Sequence, residues 1–221
     1  MTDKESKFDQ IAKQIAEQKN YSLVHGCYNY RLCPDQYMGK VQNKKWERKN
    51  IFDENGDVIL EEIPYGEGAM IVVLESPHIE EYDVNGPPNG PACGATGENL
   101  HKMTDLTIFQ EYAKYQLYII NAIPFQCSLG DRKMTCRDRV FTAVWNKNET
   151  GKGYFAKRLN NLIKTLLEKD NTIVLINACT VGNNRKRNVQ KVIKSLHVYE
   201  KIMSFQIEHP ANWNIPELIE A

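Results

Sequence analysis

The feature that most constrains the fold is an apolar run at residues 70–74, which ends abruptly in Glu75, Ser76, Pro77 and His78. The run is too short for a typical helix and is rich in β-branched residues, which is typical of a buried strand in a parallel sheet. In open α/β sheets, ligands bind outside the carboxyl ends of the strands. The sequence therefore predicts a central strand that brings Glu75 to such an edge.

Two later strands are predicted to end in polar side chains at the same edge. Residues 117–121 finish with Asn121, and residues 201–209 finish with His209 before a proline. A further strand is predicted at 172–177. Helices are predicted at 5–18, 97–115, 154–169 and 184–196, and Asn55-Gly56 indicates a β-hairpin. Strands alternating with helices predict an α/β fold, a three-layer α/β/α domain around a short four-stranded parallel sheet.

Length and composition indicate one soluble globular domain, with 221 residues, 42% hydrophobic and 25% charged. Residues 1–66 would add the N-terminal helix and the hairpin to a core at 67–215. No run reaches the roughly 18 apolar residues of a membrane span, and the first residues lack a signal-peptide core. We therefore expect a cytoplasmic protein with no membrane partner, and a monomer.

Two basic segments stand out against a formal net charge of zero. Residues 183–201 include Arg185, Lys186 and Arg187, and residues 40–49 form the second segment. Such clusters contact DNA phosphates in some proteins and are solvated helix faces in others. The three residues of the first segment are our candidate DNA contacts.

The polar strand ends form a candidate catalytic set. Glu75 could act as a general base or stabilise positive charge on a sugar ring. Asn121 carries a donor and an acceptor that suit the edge of a planar base, and His209 could donate to an oxygen that gains negative charge. Each residue alone also has an ordinary explanation, as a cap, a turn or an ion-pair residue. Their shared edge favours a site.

The same segments resemble the motifs of the uracil-DNA glycosylase superfamily, most closely its bacterial and archaeal iron–sulfur branches. Residues 71–78 (Ile-Val-Val-Leu-Glu-Ser-Pro-His) and 90–100 (Gly-Pro-Ala-Cys-Gly-Ala-Thr-Gly-Glu-Asn-Leu) are similar to its first motif. Residues 118–121 (Tyr-Ile-Ile-Asn) resemble the second, and 209–211 (His-Pro-Ala) resemble its His-Pro-Ser motif. The resemblance covers about residues 68 to 215 and implies a glycosylase fold.

The resemblance also implies base-flipping chemistry, in which the enzyme extrudes a nucleotide and hydrolyses its N-glycosidic bond to leave an abasic site. Glu75 would position water or stabilise the sugar cation, Asn121 would recognise the base, and His209 would stabilise the departing base. Asn212 and Trp213 would lie in the loop that enters the DNA.

Departures from the family pattern bear on the substrate. Ser76, Pro77 and His78 replace Ala-Pro-Gly, and Ala92, followed by Cys93, aligns with the aromatic residue that stacks on uracil. Losing that ring opens volume, which favours a bulky modified cytosine, such as the glucosylated hydroxymethylcytosine of phage DNA, and a role in phage defence. The alternatives are a uracil-DNA glycosylase of base-excision repair, a non-catalytic nucleic-acid-binding module and, less favoured, a nucleoside hydrolase.

The cysteines raise the question of a cofactor, although the chemistry requires none. The order of four cysteines around the first two motifs is that of the iron–sulfur branch, but five residues separate the first pair where the family has two. These residues could hold a [4Fe–4S] cluster, or zinc, or be unliganded thiols. The candidate ligands are Cys27, Cys33, Cys127 and Cys136.

Overall fold

A computed structural model describes residues 1–18, 30–82, 88–129, 136–196, 200–212 and 219–220, excepting the side chains at 104, 183 and 220. Its centre is one sheet. The strands are β1 (Gln36–Lys40), β2 (Lys49–Asn50), β3 (Ala69–Leu74), β4 (Gln116–Asn121), β5 (Ile173–Asn177), β6 (Ile202–Gln206) and β7 (Ile219–Glu220).

The sheet is mixed, with the order β2-β1-β4-β3-β5-β6-β7. The four central strands, β4, β3, β5 and β6, are parallel to one another. Strand β1 pairs antiparallel with both β2 and β4, and β7 pairs antiparallel with β6. The predicted α/β class is therefore confirmed, but a sheet of only four parallel strands is wrong, because the N-terminal segment supplies two strands to the same sheet.

The helices are α1 (Asp3–Gln18), α2 (Ala95–His101), α3 (Thr107–Gln110), α4 (Arg137–Trp145), α5 (Lys152–Glu168) and α6 (Arg185–Lys194). Helices α1, α5 and α6 lie where the sequence predicts them. A single helix over 97–115 is wrong, because Leu106 adopts an extended backbone (φ −90°, ψ 126°) that separates α2 from α3. Leu100, Met103 and Phe109 still reach one core. Helix α4 was not predicted.

The predicted hairpin at Asn55-Gly56 is reduced to one antiparallel bridge between Phe52 and Val58. The Asp53 carboxylate accepts hydrogen bonds from the backbone N–H groups of Asn55 and Asp57, both at 2.9 Å. These bonds close the turn locally, which is the usual competition between an aspartate and a strand ladder.

Apolar side chains fill both faces of the sheet, as alternation along buried strands requires. One core joins α1, α4, α5 and α6 to the strand residues Ile71, Val73 and Ile120. The other joins α2 and α3 to Leu74 and Ile119. Among the described residues, no helix is long and apolar enough to span a membrane.

The strand order creates a crevice at the carboxyl end of β3. The chain passes from β3 to β4 on one side and then to β5 on the other side of β3. Such a reversal separates the loops that follow β3 and β5, and ligands of open α/β sheets bind in the resulting crevice. The fold thus brings the segments that begin with Glu75 and Ala178 to one place.

Candidate functional site

A cleft of about 450 Å³ occupies the carboxyl edge of the parallel strands. This volume lies in the range of small-molecule sites. Segments that follow β3, β5 and β6 all contribute to its wall, together with residues near the starts of α2 and α4. The lining residues are Leu74, Ser76, Pro77, His78, Glu80, Glu81, Cys93, Ala95, Thr96, Ser128, Arg137, Thr180, His209, Ala211 and Asn212.

Glu75 lies behind this wall and is 3% exposed. Its Oε1 atom is 2.7 Å from Arg185 Nη1 and 3.4 Å from Arg137 Nε, and its Oε2 atom accepts a hydrogen bond from the Thr180 hydroxyl. Burial raises the pKa of Glu75, and the charges of Arg137 and Arg185 oppose that rise. Glu75 therefore holds three groups in place, two of which, Arg137 and Thr180, line the cleft.

His209 lines the cleft as a neutral imidazole. Burial, helped by the positive charges of Arg137, Arg185 and Lys186, lowers its pKa to about 4. The ring Nδ1 atom accepts a hydrogen bond from the Ala211 backbone N–H at 3.3 Å. In a neutral ring whose Nδ1 accepts, the proton is on Nε2. The remaining ring donor is therefore Nε2–H.

The depressed pKa of His209 predicts that acid destabilises the protein. An unfolded histidine binds a proton below its ordinary pKa of 6.5, whereas the folded one stays neutral down to about 4. The unfolded state therefore binds more protons in that window, and the melting temperature should fall as the pH is lowered from 6.5 to 4. Calorimetric melting across this range tests the effect.

The matched control for this titration is His209→Gln, which keeps a polar side chain without an ionisable ring. The variant should show a shallower decrease in melting temperature over the same pH window, with other titrating groups supplying the rest. Identical slopes for the wild type and the variant would contradict the lowered pKa.

Asn121 is fully buried, and within the described residues its Oδ1 and Nδ2 atoms have no hydrogen-bond partner. A buried amide without hydrogen bonds destabilises the folded state by about 1–3 kcal/mol, because the lost hydrogen bonds to water are not replaced. The β-sheet register pairs Asn121 with Leu74 on the neighbouring strand, so both residues lie on the same sheet face. Leu74 lines the cleft and Asn121 does not, so the unpaired amide lies on the same sheet face as a lining residue, one strand away from the cleft wall.

A buried ion pair fixes the backbone at Asn121. Asp35 Oδ1 accepts from the Asn121 backbone N–H at 2.8 Å, and Asp35 Oδ2 pairs with Arg158 Nη1. Arg158 Nη2 donates to the Asn121 carbonyl at 3.0 Å and to the Ala122 carbonyl at 3.3 Å. Sequence reasoning missed this pair, which joins residues 123 positions apart. The only sign of this pair in the sequence is Arg158 itself, a charged residue on the otherwise apolar face of α5.

The predicted base-pocket residues separate into two groups. Ser76, Pro77, His78 and Cys93 line the cleft, whereas Ala92 is 1% exposed and packs in the core behind it. The φ of Ala92 is +58°, and its backbone N–H donates to a buried carboxylate oxygen at 3.0 Å. Because Ala92 does not line the cleft, the lining residues give no support to the expectation that its small side chain makes room for a bulky base.

Glu81, which accepts the Ala92 hydrogen bond, is a cleft residue that sequence reasoning missed. Burial raises its pKa to about 8. The cleft therefore carries a carboxyl group that is mostly protonated at neutral pH. Its second oxygen, Oε2, accepts from the Cys33 thiol at 3.7 Å.

The predicted DNA contacts do not share one surface. Arg185 is 3% exposed and is bound to Glu75 and Asp138, so its prediction as a surface contact is wrong. Lys186 donates from Nζ to the Ile207 carbonyl, and Arg187 is exposed. Asn212 is exposed at the rim of the cleft. Trp213 lies outside the described residues.

The structure describes three of the four predicted metal ligands. Cys27 lies outside the described residues, and Cys33, Cys127 and Cys136 are buried free thiols. Burial, the largest cause, raises the pKa of Cys33 and Cys127. Over the part of the chain that the structure describes, no group of three or more His, Cys, Asp or Glu side chains could hold a metal ion. A cluster stays a prediction that visible absorbance of the purified protein tests.

Comparison of the chain with protein families, curated proteins and solved structures finds no match.

Proposed function

We propose that this protein is a DNA glycosylase that flips a modified pyrimidine out of DNA and hydrolyses its N-glycosidic bond. The carrying observation is a pair of features: the buried, unpaired amide of Asn121 on the strand next to the cleft residue Leu74, and the neutral His209 in the cleft wall. A planar base that reaches past Leu74 to Asn121 would satisfy the donor and the acceptor of this amide at once. The motif resemblance supports the proposal, and the observed α/β class is compatible with it.

In the proposed reaction, the bond between the sugar C1′ and the base nitrogen breaks and its electron pair leaves with the base. Water supplies the hydroxyl group that completes C1′, and the proton that this water loses neutralises the departing base anion. The Nε2–H of His209 would donate to a base oxygen that gains negative charge, and a preorganised donor of this kind accelerates acyl transfer by about 10²–10³-fold. Because Glu75 is occupied by two arginines and Thr180, we assign it the role of positioning these groups.

We favour a bulky cytosine such as glucosylated hydroxymethylcytosine, and hence a role in phage defence. The cleft of about 450 Å³ gives room for a base with a substituent. Plain uracil is the second candidate substrate. A non-catalytic module is disfavoured because a protein that only binds the base would need the Asn121 amide but not a neutral His209 donor in the cleft wall as well.

The test incubates the protein with matched oligonucleotides that contain uracil, hydroxymethylcytosine or its glucosylated form, and scores abasic sites. We expect release of the glucosylated base and loss of release in His209→Ala with DNA binding retained. Release of uracil alone would overturn the substrate, and tight binding without release of any base would favour the binding module.

DNA would also contact a basic groove beside α6. This groove of about 580 Å³ is lined by the exposed Arg187, Lys191 and Lys194 and by the half-buried Lys186. Its described lining residues include no aspartate or glutamate. Arg187, Lys191 and Lys194 follow one another at intervals of four and three residues, which places them on one side of the helix, as a phosphate-contacting face requires.

The double variant Lys191→Ala/Lys194→Ala should weaken DNA binding and flatten its salt dependence. Each lost phosphate contact removes about one from the slope of log K against log salt concentration. Binding titrations at several salt concentrations measure the slope. Lys164→Ala, an exposed lysine on α5, is the control and should leave the slope unchanged. An unaltered slope in the double variant would exclude this groove.

A further inference from the structure

Arg137 is a cleft residue whose guanidinium is held from one side. It is the first residue of α4, lines the cleft and has a side chain that is 21% exposed. Its Nε atom lies 3.4 Å from Glu75 Oε1 but makes no hydrogen bond. Within the described residues, its two Nη groups have no hydrogen-bond partner either. Over the part of the chain that the structure describes, the outer fork of this guanidinium, its two Nη groups, is therefore available to a ligand.

The neighbours of Arg137 explain why it stays in place. Arg185 shares Glu75 Oε1 at 2.7 Å and contacts Asp138 Oδ1 at 3.0 Å. Two carboxylates thus balance two guanidinium groups, so the cleft can keep Arg137 next to another cation. Because Arg185 and Thr180 occupy the rest of Glu75, the carboxylate cannot turn to engage the outer fork of Arg137.

The two Nη groups of Arg137 are suited to bind a ligand that presents two acceptor oxygens side by side. A guanidinium binds phosphate through two parallel N–H···O bonds, which are stronger and more directional than neutral hydrogen bonds. The hydroxyls of Ser76 and Ser128 line the same cleft and add neutral donors, whereas Thr180 already donates its proton to Glu75. A phosphate group would receive directed donors here on the partly exposed side of Arg137, where solvent lowers the free-energy cost of its charge.

We infer that Arg137 binds a backbone phosphate adjacent to the nucleotide in the cleft, and that Glu75 positions it for this contact. The inference rests on the proposed function for the identity of the ligand, a nucleotide within DNA. Arg137 would then be a specificity residue, through which the protein distinguishes a nucleotide within a DNA strand from a free base. The contact forms in the ground state, so its loss should raise KM and Kd more than it lowers kcat.

A chemical double-mutant cycle tests the contact. Wild type and Arg137→Gln are each measured on oligonucleotides in which one phosphate beside the target base is intact or replaced by a neutral methylphosphonate. Neutralising the contacted phosphate should weaken wild-type binding by about tenfold, the scale of a charge-assisted bond. The same replacement should cost Arg137→Gln almost nothing, since the contact is already lost.

Matched variants separate this contact from folding and from general charge. Arg139→Gln removes an exposed arginine of the same helix and should respond to the methylphosphonate as the wild type does. Arg137→Lys keeps the charge without the fork and should recover part of the affinity. Glu75→Gln should lose the same phosphate discrimination as Arg137→Gln. Melting temperatures identify any variant that fails to fold.

The outcomes distinguish this inference from the proposed function. In one outcome, the wild type releases the base, and a methylphosphonate on either side of the target weakens DNA binding equally in the wild type and in Arg137→Gln. That result would overturn the phosphate contact and keep the glycosylase. Absence of base release with a phosphate-dependent difference in Kd overturns the glycosylase and supports the contact. If the wild type binds no oligonucleotide, both are overturned.

Discussion

Replacing Arg158 with methionine is expected to lower the free energy of unfolding by about 3–5 kcal/mol, the scale for removing one partner of a buried ion pair. The side chains of Arg158 and Asp35 are 2% and 1% exposed. The variant leaves the Asp35 carboxylate buried without a counter-charge. It also removes the donors to the Asn121 and Ala122 carbonyl groups.

Urea unfolding measures this loss, and the double variant Asp35→Leu/Arg158→Met is its control. The double variant should lose less than the sum of the two single variants, because it leaves neither charge alone. Some loss remains, since the backbone groups of Asn121 also lose their partners. A decrease below about 1 kcal/mol in Arg158→Met would mean that water reaches the Asp35 carboxylate.

The buried centre of the fold was predictable because its signal is local. Strands β3, β4 and β5 are continuous apolar runs, and α5 shows one apolar face. Strand β1 was missed because Gln36, Gly39 and Lys40 interrupt any such run. Its pairing with β4 supplies the order that its sequence lacks. Helix α4 was missed because its charged first turn resembles a loop.

The candidate site was predictable only where it lies at a strand end. Glu75, Asn121 and His209 follow directly from the strand pattern, and their neighbours do not. Arg185 reads as one cation of a basic segment, yet it meets Glu75 across 110 positions of sequence. Charge patterning carries no information on burial, so an arginine that supports the site was indistinguishable from an exposed neighbour such as Arg187.

Replacing Asn121 with leucine is expected to change stability and function in opposite directions. The free protein should gain about 1 kcal/mol or more, because leucine has a similar volume and removes two buried polar atoms without partners. Base release should decrease by roughly 10²-fold or more, because the pocket loses the groups proposed to read the base edge. Urea unfolding and single-turnover base release measure the two effects.

The matched control is Asn177→Leu, at the end of the strand on the other side of β3. The Asn177 amide is buried but satisfied, with Nδ2 donating to Lys186 O at 3.0 Å and Gln190 Oε1 at 2.8 Å, and Oδ1 accepting from Cys179 N at 3.2 Å. This variant should lose about 1–3 kcal/mol of stability. Two asparagines at similar strand ends would then respond with opposite signs. If Asn121→Leu instead destabilises the protein and leaves base release intact, Asn121 is a structural residue and does not read the base.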